Sequence, residues 1–195
     1  THTDNHGAII ASADSDMLQN GRDTYSYMWP RDGAFSAMAF DMAGDSNVAE
    51  RFFEFCERVI STDGYFMHKY RPDDSLGSSW HPWIKNGNIE LPIQEDETAL
   101  VVIALGKHYQ QSKDLEFIER VYNTLIKPAG DFMVSYRDPK THLPKASYDL
   151  WEEKFGMHTF TASAVYQALM TASRFAKLLG KDKSEHVYST AAFEI

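Results

Sequence analysis

The run Tyr148-Asp149-Leu150-Trp151-Glu152-Glu153 brings three carboxyl groups and two aromatic rings into six residues. Such a grouping suits acid–base chemistry. A carboxyl group near other carboxylates and an apolar ring holds its proton more firmly, as a general acid at neutral or mildly acidic pH must. Acidic runs more often form a solvated loop, and the tryptophan set among these acids weighs against that reading. Paired acids also suit a metal ion, but no His stands at ligand spacing from them, and His158 falls near the start of the next helix. The sequence therefore calls for no metal or other cofactor.

A second grouping, Tyr25-Ser26-Tyr27-Met28-Trp29-Pro30-Arg31-Asp32-Gly33, lies just ahead of a helical pattern. Arg31 can donate to the vicinal hydroxyls of a sugar and Asp32 can accept from them, while Trp29 and Tyr25 offer flat apolar faces to its C–H surface. Asp32 would equally serve as a helix N-cap, with Arg31 paired to it at the surface. A third grouping, Ser78-Ser79-Trp80-His81-Pro82-Trp83, is either an apolar lid with a structural His or a further wall of a site. Convergence of the three loops would form an aromatic pocket with few charges, suited to a neutral carbohydrate.

The elements that must position these loops are mostly helical. With 195 residues, 43% of them hydrophobic, the chain can fill a sizeable core. The formal charge of -9, with no basic run, excludes general attraction to nucleic acid, and no apolar stretch is long enough for a membrane span. Cys56 reads as core. Phe35, Met38 and Met42 recur at helical spacing up to Gly44. Val48, Phe52, Phe55 and Val59 follow, with Ser46 as candidate N-cap, and the two helices should pair as a hairpin. The apolar run Ala99 to Leu105 is preferred as helix because Glu95, Asp96 and Glu97 precede it and Lys107-His108 follow, matching the helix dipole. Leu115, Ile118, Val121 and Leu125 form a helix that Pro128 should end or kink, and Val165, Leu169, Ala172, Phe175 and Leu179 form another, closed by Gly180. Ala8 to Ala11 is a possible strand, and residues 65–83 and 137–157 read as long irregular loops.

Three blocks in series resemble glycoside hydrolase family 15, the glucoamylases with related glucodextranases and trehalases. They are Tyr25-x-x-x-Trp29-x-Arg31-Asp32, then Pro92-Ile93-Gln94-Glu95-Asp96-Glu97-Thr98-Ala99-Leu100, then Tyr148 to Glu153 followed by Gly156, His158, Phe160 and Thr161. The wording is closer to the prokaryotic branch than to the fungal one. The resemblance implies a mainly α chain forming part, roughly half, of an (α/α)6 barrel with a sugar pocket at one end. It implies Glu152 as general acid, Glu153 as a substrate contact, Arg31 and Asp32 gripping the terminal glucose, Tyr25 and Trp29 stacking there, and backbone carbonyls of Leu150 and Trp151 contributing.

The resemblance also implies hydrolysis of terminal α-linked glucose from the non-reducing end of glucans, with inversion to β-glucose. Trehalase or glucodextranase specificity is an alternative, since the matched residues grip only the first glucose. Inversion needs a second carboxylate about 6.5–9.5 Å from the acid, and no residue here matches the family's base, so a non-catalytic carbohydrate-binding fragment is a further alternative. Residues 1–195 are accordingly expected to be a partial catalytic domain, truncated at both ends. Its cut flanks, around Phe35 to Met42 and Val165 to Leu179, would then be exposed and open to self-association.

Overall fold

The computed structural model describes residues 6–13, 25–77, 84–85, 87–89, 91 and 93–195. Three helices form an inner row: α1 (Pro30–Met42), α3 (Glu95–Ser112) and α6 (Thr159–Leu178). Helix α1 packs on α3, and α3 on α6. Outside them lie α2 (Ser46–Val59), then α4 (Leu115–Val121) continuing into α5 (Lys127–Ser135), and α7 (Asp182–Glu194). Inner and outer helices alternate along the chain, which is the architecture expected of roughly half an (α/α)6 barrel. A single hydrophobic cluster running from Ala8 to Ala192 ties the two layers together, and Cys56 is buried within it. Among the described residues no helix is long and apolar enough to cross a membrane.

Helix α3 occupies the centre of the inner row and is covered from Glu95 to Leu105 on almost every side. That explains why its apolar run shows no clean stripe. Helix α1 approaches α2 closely through small residues. A Cβ on Gly33 would fall 2.3 Å from Cε2 of Phe52, so any larger residue there must displace a core ring. A buried tie links α1 to α3: Nδ1 of His108 lies 3.0 and 3.1 Å from the two carboxylate oxygens of Asp41.

Several local expectations are corrected. The N-cap of α2 is Asp45 rather than Ser46. Pro128 does not end its helix: a π-helical turn at Tyr122–Ile126 joins α4 to α5, and Pro128 falls in the first turn of α5. Proline cannot donate, and its ring crowds the carbonyl four residues back; the wider turn just ahead accommodates both demands. Gly180 does close α6, with φ +66° and the Lys181 N–H donating to the carbonyl of Ala176.

Both expected flanks carry exposed apolar residues: Phe35 and Met42 on α1, and Phe160, Tyr166 and Leu178 on α6. Val165, Leu169, Ala172 and Phe175, the apolar stripe of α6, face the core. The Ala8–Ala11 segment runs alongside residues 25–27, Ala11 N–H donating to the Tyr27 carbonyl and Ser12 N–H to that of Tyr25. The loop at residues 65–77 is held by short bridges, Met28 to Tyr70 and Tyr70 to Leu76.

Candidate active site

The N-termini of the inner helices bring the site together. Trp29 is the extended N-cap residue of α1, Pro30 opens the helix where no N–H is needed, and Arg31 and Asp32 complete its first turn. Asp32 is therefore not the cap. It is an exposed residue inside the first turn, and Arg31 is not a surface partner for it. The Arg31 guanidinium reaches across to α3, donating to Asp96 Oδ2 at 2.7 Å and to Gln94 Oε1 at 3.1 Å, with Glu97 Oε1 at 3.6 Å. Burial alone would lower the guanidinium's proton affinity, but Glu97 and Asp96 outweigh it and hold the group above its ordinary value.

The acidic block forms the tip of a hairpin, in which Ser147–Tyr148 pairs antiparallel with Phe155–Gly156. The Gln94 side-chain amide donates to the carbonyls of Tyr148 and Asp149, fixing the hairpin to the start of α3. Asp149 turns inward on its own loop, accepting from the N–H groups of Glu153 at 2.8 Å and Lys154 at 3.2 Å. Those bonds favour its charged form and lower its pKa, so Asp149 shapes the tip as a fixed carboxylate. The next carboxyl, Glu152, sits in the left-handed region at φ +57°. Such a backbone is uncommon for a residue with a Cβ, and the turn holds it there, the Glu152 N–H donating to the Asp149 carbonyl at 2.9 Å.

Glu152 retains only 14% side-chain exposure, and its Oε1 lies 2.9 Å from Nε2 of His68. Trp151 does not supply the apolar cover expected of it, being 82% exposed. The cover comes from elsewhere. His68 is buried and meets the indole of Trp29 edge-on, the Trp29 N–H donating to Nε2 at 3.2 Å. Behind Trp29, the buried Lys69 ammonium stands 4.2 Å from the Tyr27 ring centre and 5.4 Å from that of Trp29.

An open cleft of about 510 Å³ is lined by Ala11, Tyr25, Trp29, Arg31, Asp32, Leu150, Trp151 and Glu152. Of the residues that the resemblance places at the sugar, all but Glu153 are in this lining; Glu153 is exposed at the hairpin tip. The Tyr25 and Trp29 rings lie 5.7 Å apart and tilted, giving the cleft an aromatic wall. A separate cavity of about 440 Å³ between Pro144, Met157 and Tyr166 has no acidic side chain in its lining and is set apart from this chemistry. The Ser78-to-Trp83 grouping lies outside the described residues.

Sequence reasoning missed His68, Lys69, Gln94, Asp96 and Glu97 as parts of the site. The acidic triplet suits the helix dipole, yet Glu95, Asp96 and Glu97 are all buried. Burial raises Glu95 and Glu97 well above the ordinary carboxyl value; Asp96 adds to both shifts, while Arg31 opposes that of Glu97 and Lys145 and Arg137 that of Glu95. A carboxyl whose folded pKa is raised binds its proton more tightly in the native state. Its contribution to stability is full below about 4.5 and is lost as pH rises from there through the raised value. Glu95→Gln, which cannot ionise, is expected to flatten that fall in urea-denaturation free energy measured from pH 4.5 upward. An unchanged slope would show that Glu95 is not a source of it.

Comparison with known proteins agrees with this architecture. The chain is 31% identical, over 91% of its length, to an uncharacterized glycosyl hydrolase of Methanocaldococcus jannaschii. It is 28% identical, over 89% of its length, to a glucoamylase of Clostridium sp.. It spans 25% and 22% of those two proteins. Its fold superposes on a bacterial glucoamylase crystallised with acarbose, with a TM-score of 0.72 and 24% identity, covering 96% of this chain and 25% of that one. The sequence model of glycosyl hydrolases family 15 matches residues 1–195, from the aromatic wall through the acidic hairpin, and the chain belongs to that family.

Proposed function

We propose that this chain carries the general acid and the terminal-glucose subsite of an inverting α-glucosidase of the glucoamylase kind. The observation that carries the reading is the cleft itself: an arginine, an exposed aspartate and two aromatic rings on one wall, with a half-buried carboxyl on the other. Arg31 and Asp32 would meet the hydroxyls of a terminal α-linked glucose, and Tyr25 and Trp29 its C–H face. Leu150 and Trp151 would contribute backbone carbonyls, and Glu153 a contact once substrate fills the cleft. Glu152 would protonate the leaving oxygen as an oxocarbenium-like centre develops. The water-activating carboxylate is assigned to the part of the polypeptide that lies beyond these residues, which are then a partial catalytic domain; the exposed Phe35 and Met42 would meet that remainder or a second copy.

Glucans with α-1,4 links are the proposed substrates, in keeping with the glucoamylases among the relatives. Proton NMR of fresh digests of maltooligosaccharides by the full-length protein should show β-glucose as first product, ahead of mutarotation. Release of α-glucose would overturn inversion, and turnover confined to trehalose or α-1,6-linked dextran would reassign the substrate.

A further inference from the structure

Gln94 is the N-cap residue of α3, yet its side chain makes no capping bond to the helix. Ser, Thr, Asp or Asn would serve the helix better there. The amide is committed across the cleft instead. Its Oε1 accepts from the Arg31 guanidinium at 3.1 Å, and its Nε2 donates to the carbonyls of Tyr148, at 3.4 Å, and Asp149. The Asp149 carbonyl has a second lone pair, and with it accepts from the Glu152 N–H at 2.9 Å. Gln94 is fully buried and does not line the cleft, but it stands between the guanidinium on one wall and the turn that carries the acid on the other. Its neighbours dictate the type of side chain. A guanidinium only donates and a backbone carbonyl only accepts, so the bridging group must accept at one end and donate twice at the other, as a carboxamide does. An ionised carboxylate would suit Arg31 and set an acceptor against two carbonyls. An apolar chain would leave all three groups without this partner in the interior.

We infer that Gln94 is a positioning residue that fixes the spacing between the grip on the terminal glucose and the general acid, an inference that rests on the reading of Glu152 as that acid. The two tasks belong to separate elements. Arg31 is part of α1, whereas Glu152 is carried by the hairpin tip, where the Asp149 carboxylate bonds only to its own loop. Loss of the amide falls unequally on them. Arg31 keeps its 2.7 Å bond to Asp96 on α3, so the glucose grip survives. The hairpin loses its tie to α3 at the carbonyl that holds the Glu152 backbone. A general acid works only within hydrogen-bond reach of the leaving oxygen, and a displacement on the order of 1 Å costs about 10²-fold in rate. Proton delivery is therefore the quantity that Gln94 controls, and sugar binding is not.

The test uses the full-length protein and two substrates: an α-1,4-linked oligosaccharide, whose leaving oxygen needs a proton, and α-glucosyl fluoride, whose leaving group departs with little help. Gln94→Met, which keeps the length of the side chain and removes the amide, is expected to lower kcat on the oligosaccharide by about 10- to 100-fold, with a loss on the fluoride smaller by at least about fivefold. Competitive inhibition by glucose, which reports the grip of Arg31 and Asp32, should stay within about threefold of wild type. Hydrogen exchange should quicken over the hairpin at residues 147–156 and not over α1. Equal losses on the two substrates, an unchanged kcat on the oligosaccharide, glucose inhibition weakened more than kcat is lowered, or exchange that quickens throughout the fold would each overturn the inference. Should the Met variant fail to fold, Gln94→Glu takes its place, since its ionised carboxylate still accepts from Arg31 but opposes the two carbonyls. The same excess loss on the oligosaccharide then supports the inference, and equal losses refute it. Full oligosaccharide turnover by Glu152→Gln is a different result, removing the general-acid reading itself.

Discussion

Glu152→Gln in the full-length protein is expected to lower turnover of α-linked oligosaccharides by about 10²–10⁴-fold with little change in ground-state binding. The amide keeps the size of the side chain and can still meet His68, but it has no proton to give. Glu152 is well placed for such a clean separation. Its side chain is mostly enclosed, its hairpin is anchored by Gln94, and Asp149 holds the tip through backbone bonds that the substitution does not touch. Steady-state kinetics with calorimetric titration of an acarbose-like ligand would measure both halves. A variant with near-normal kcat would take the role away from Glu152, and Glu153 would be the next carboxyl to examine.

The second large effect is expected at Arg31, and it differs in kind from that at its neighbour. Arg31→Ala should destabilise the fold by about 3–5 kcal/mol, because it leaves Asp96 buried without its partner, with Glu97 and Gln94 losing the same cation. Asp32→Ala should leave unfolding free energy within about 0.5 kcal/mol of wild type, since Asp32 is exposed and caps nothing. Both should weaken glucose-site binding, Asp32→Ala by roughly 1–3 kcal/mol through an unmet hydroxyl contact. Denaturant titration beside ligand titration separates the two residues. Loss of stability in Asp32→Ala with binding intact would restore the capping role.

The helices were legible because their stripes follow from local periodicity, and α3 because a long apolar run bounded by acid and base has few other folds open to it. The cleft was legible through Trp29, Arg31, Asp32 and Glu152, whose residue types are unusual for a surface loop. What could not be read was pairing across distance. Nothing near Arg31 announces Asp96, 65 positions away, as its partner, and a lone His68 in a loop carries no sign that it will meet Glu152. The triplet at Glu95 to Glu97 has a sufficient local explanation in the helix dipole, and that explanation hid its burial. Trp151 misled in the opposite direction: adjacency in sequence suggested a cover for the acid, but the hairpin turns successive side chains apart and leaves the indole in solvent.

The left-handed backbone at Glu152 has an evolutionary corollary. A side chain with a Cβ costs roughly 1–2 kcal/mol in that conformation, a penalty glycine escapes and asparagine reduces. Were the acid role proposed for Glu152 relaxed, drift at this codon would run downhill in backbone energy toward Gly or Asn. Descendants that keep the barrel and the aromatic wall but lose the acid would remain well folded, and could persist as sugar-binding proteins instead of vanishing as unstable ones.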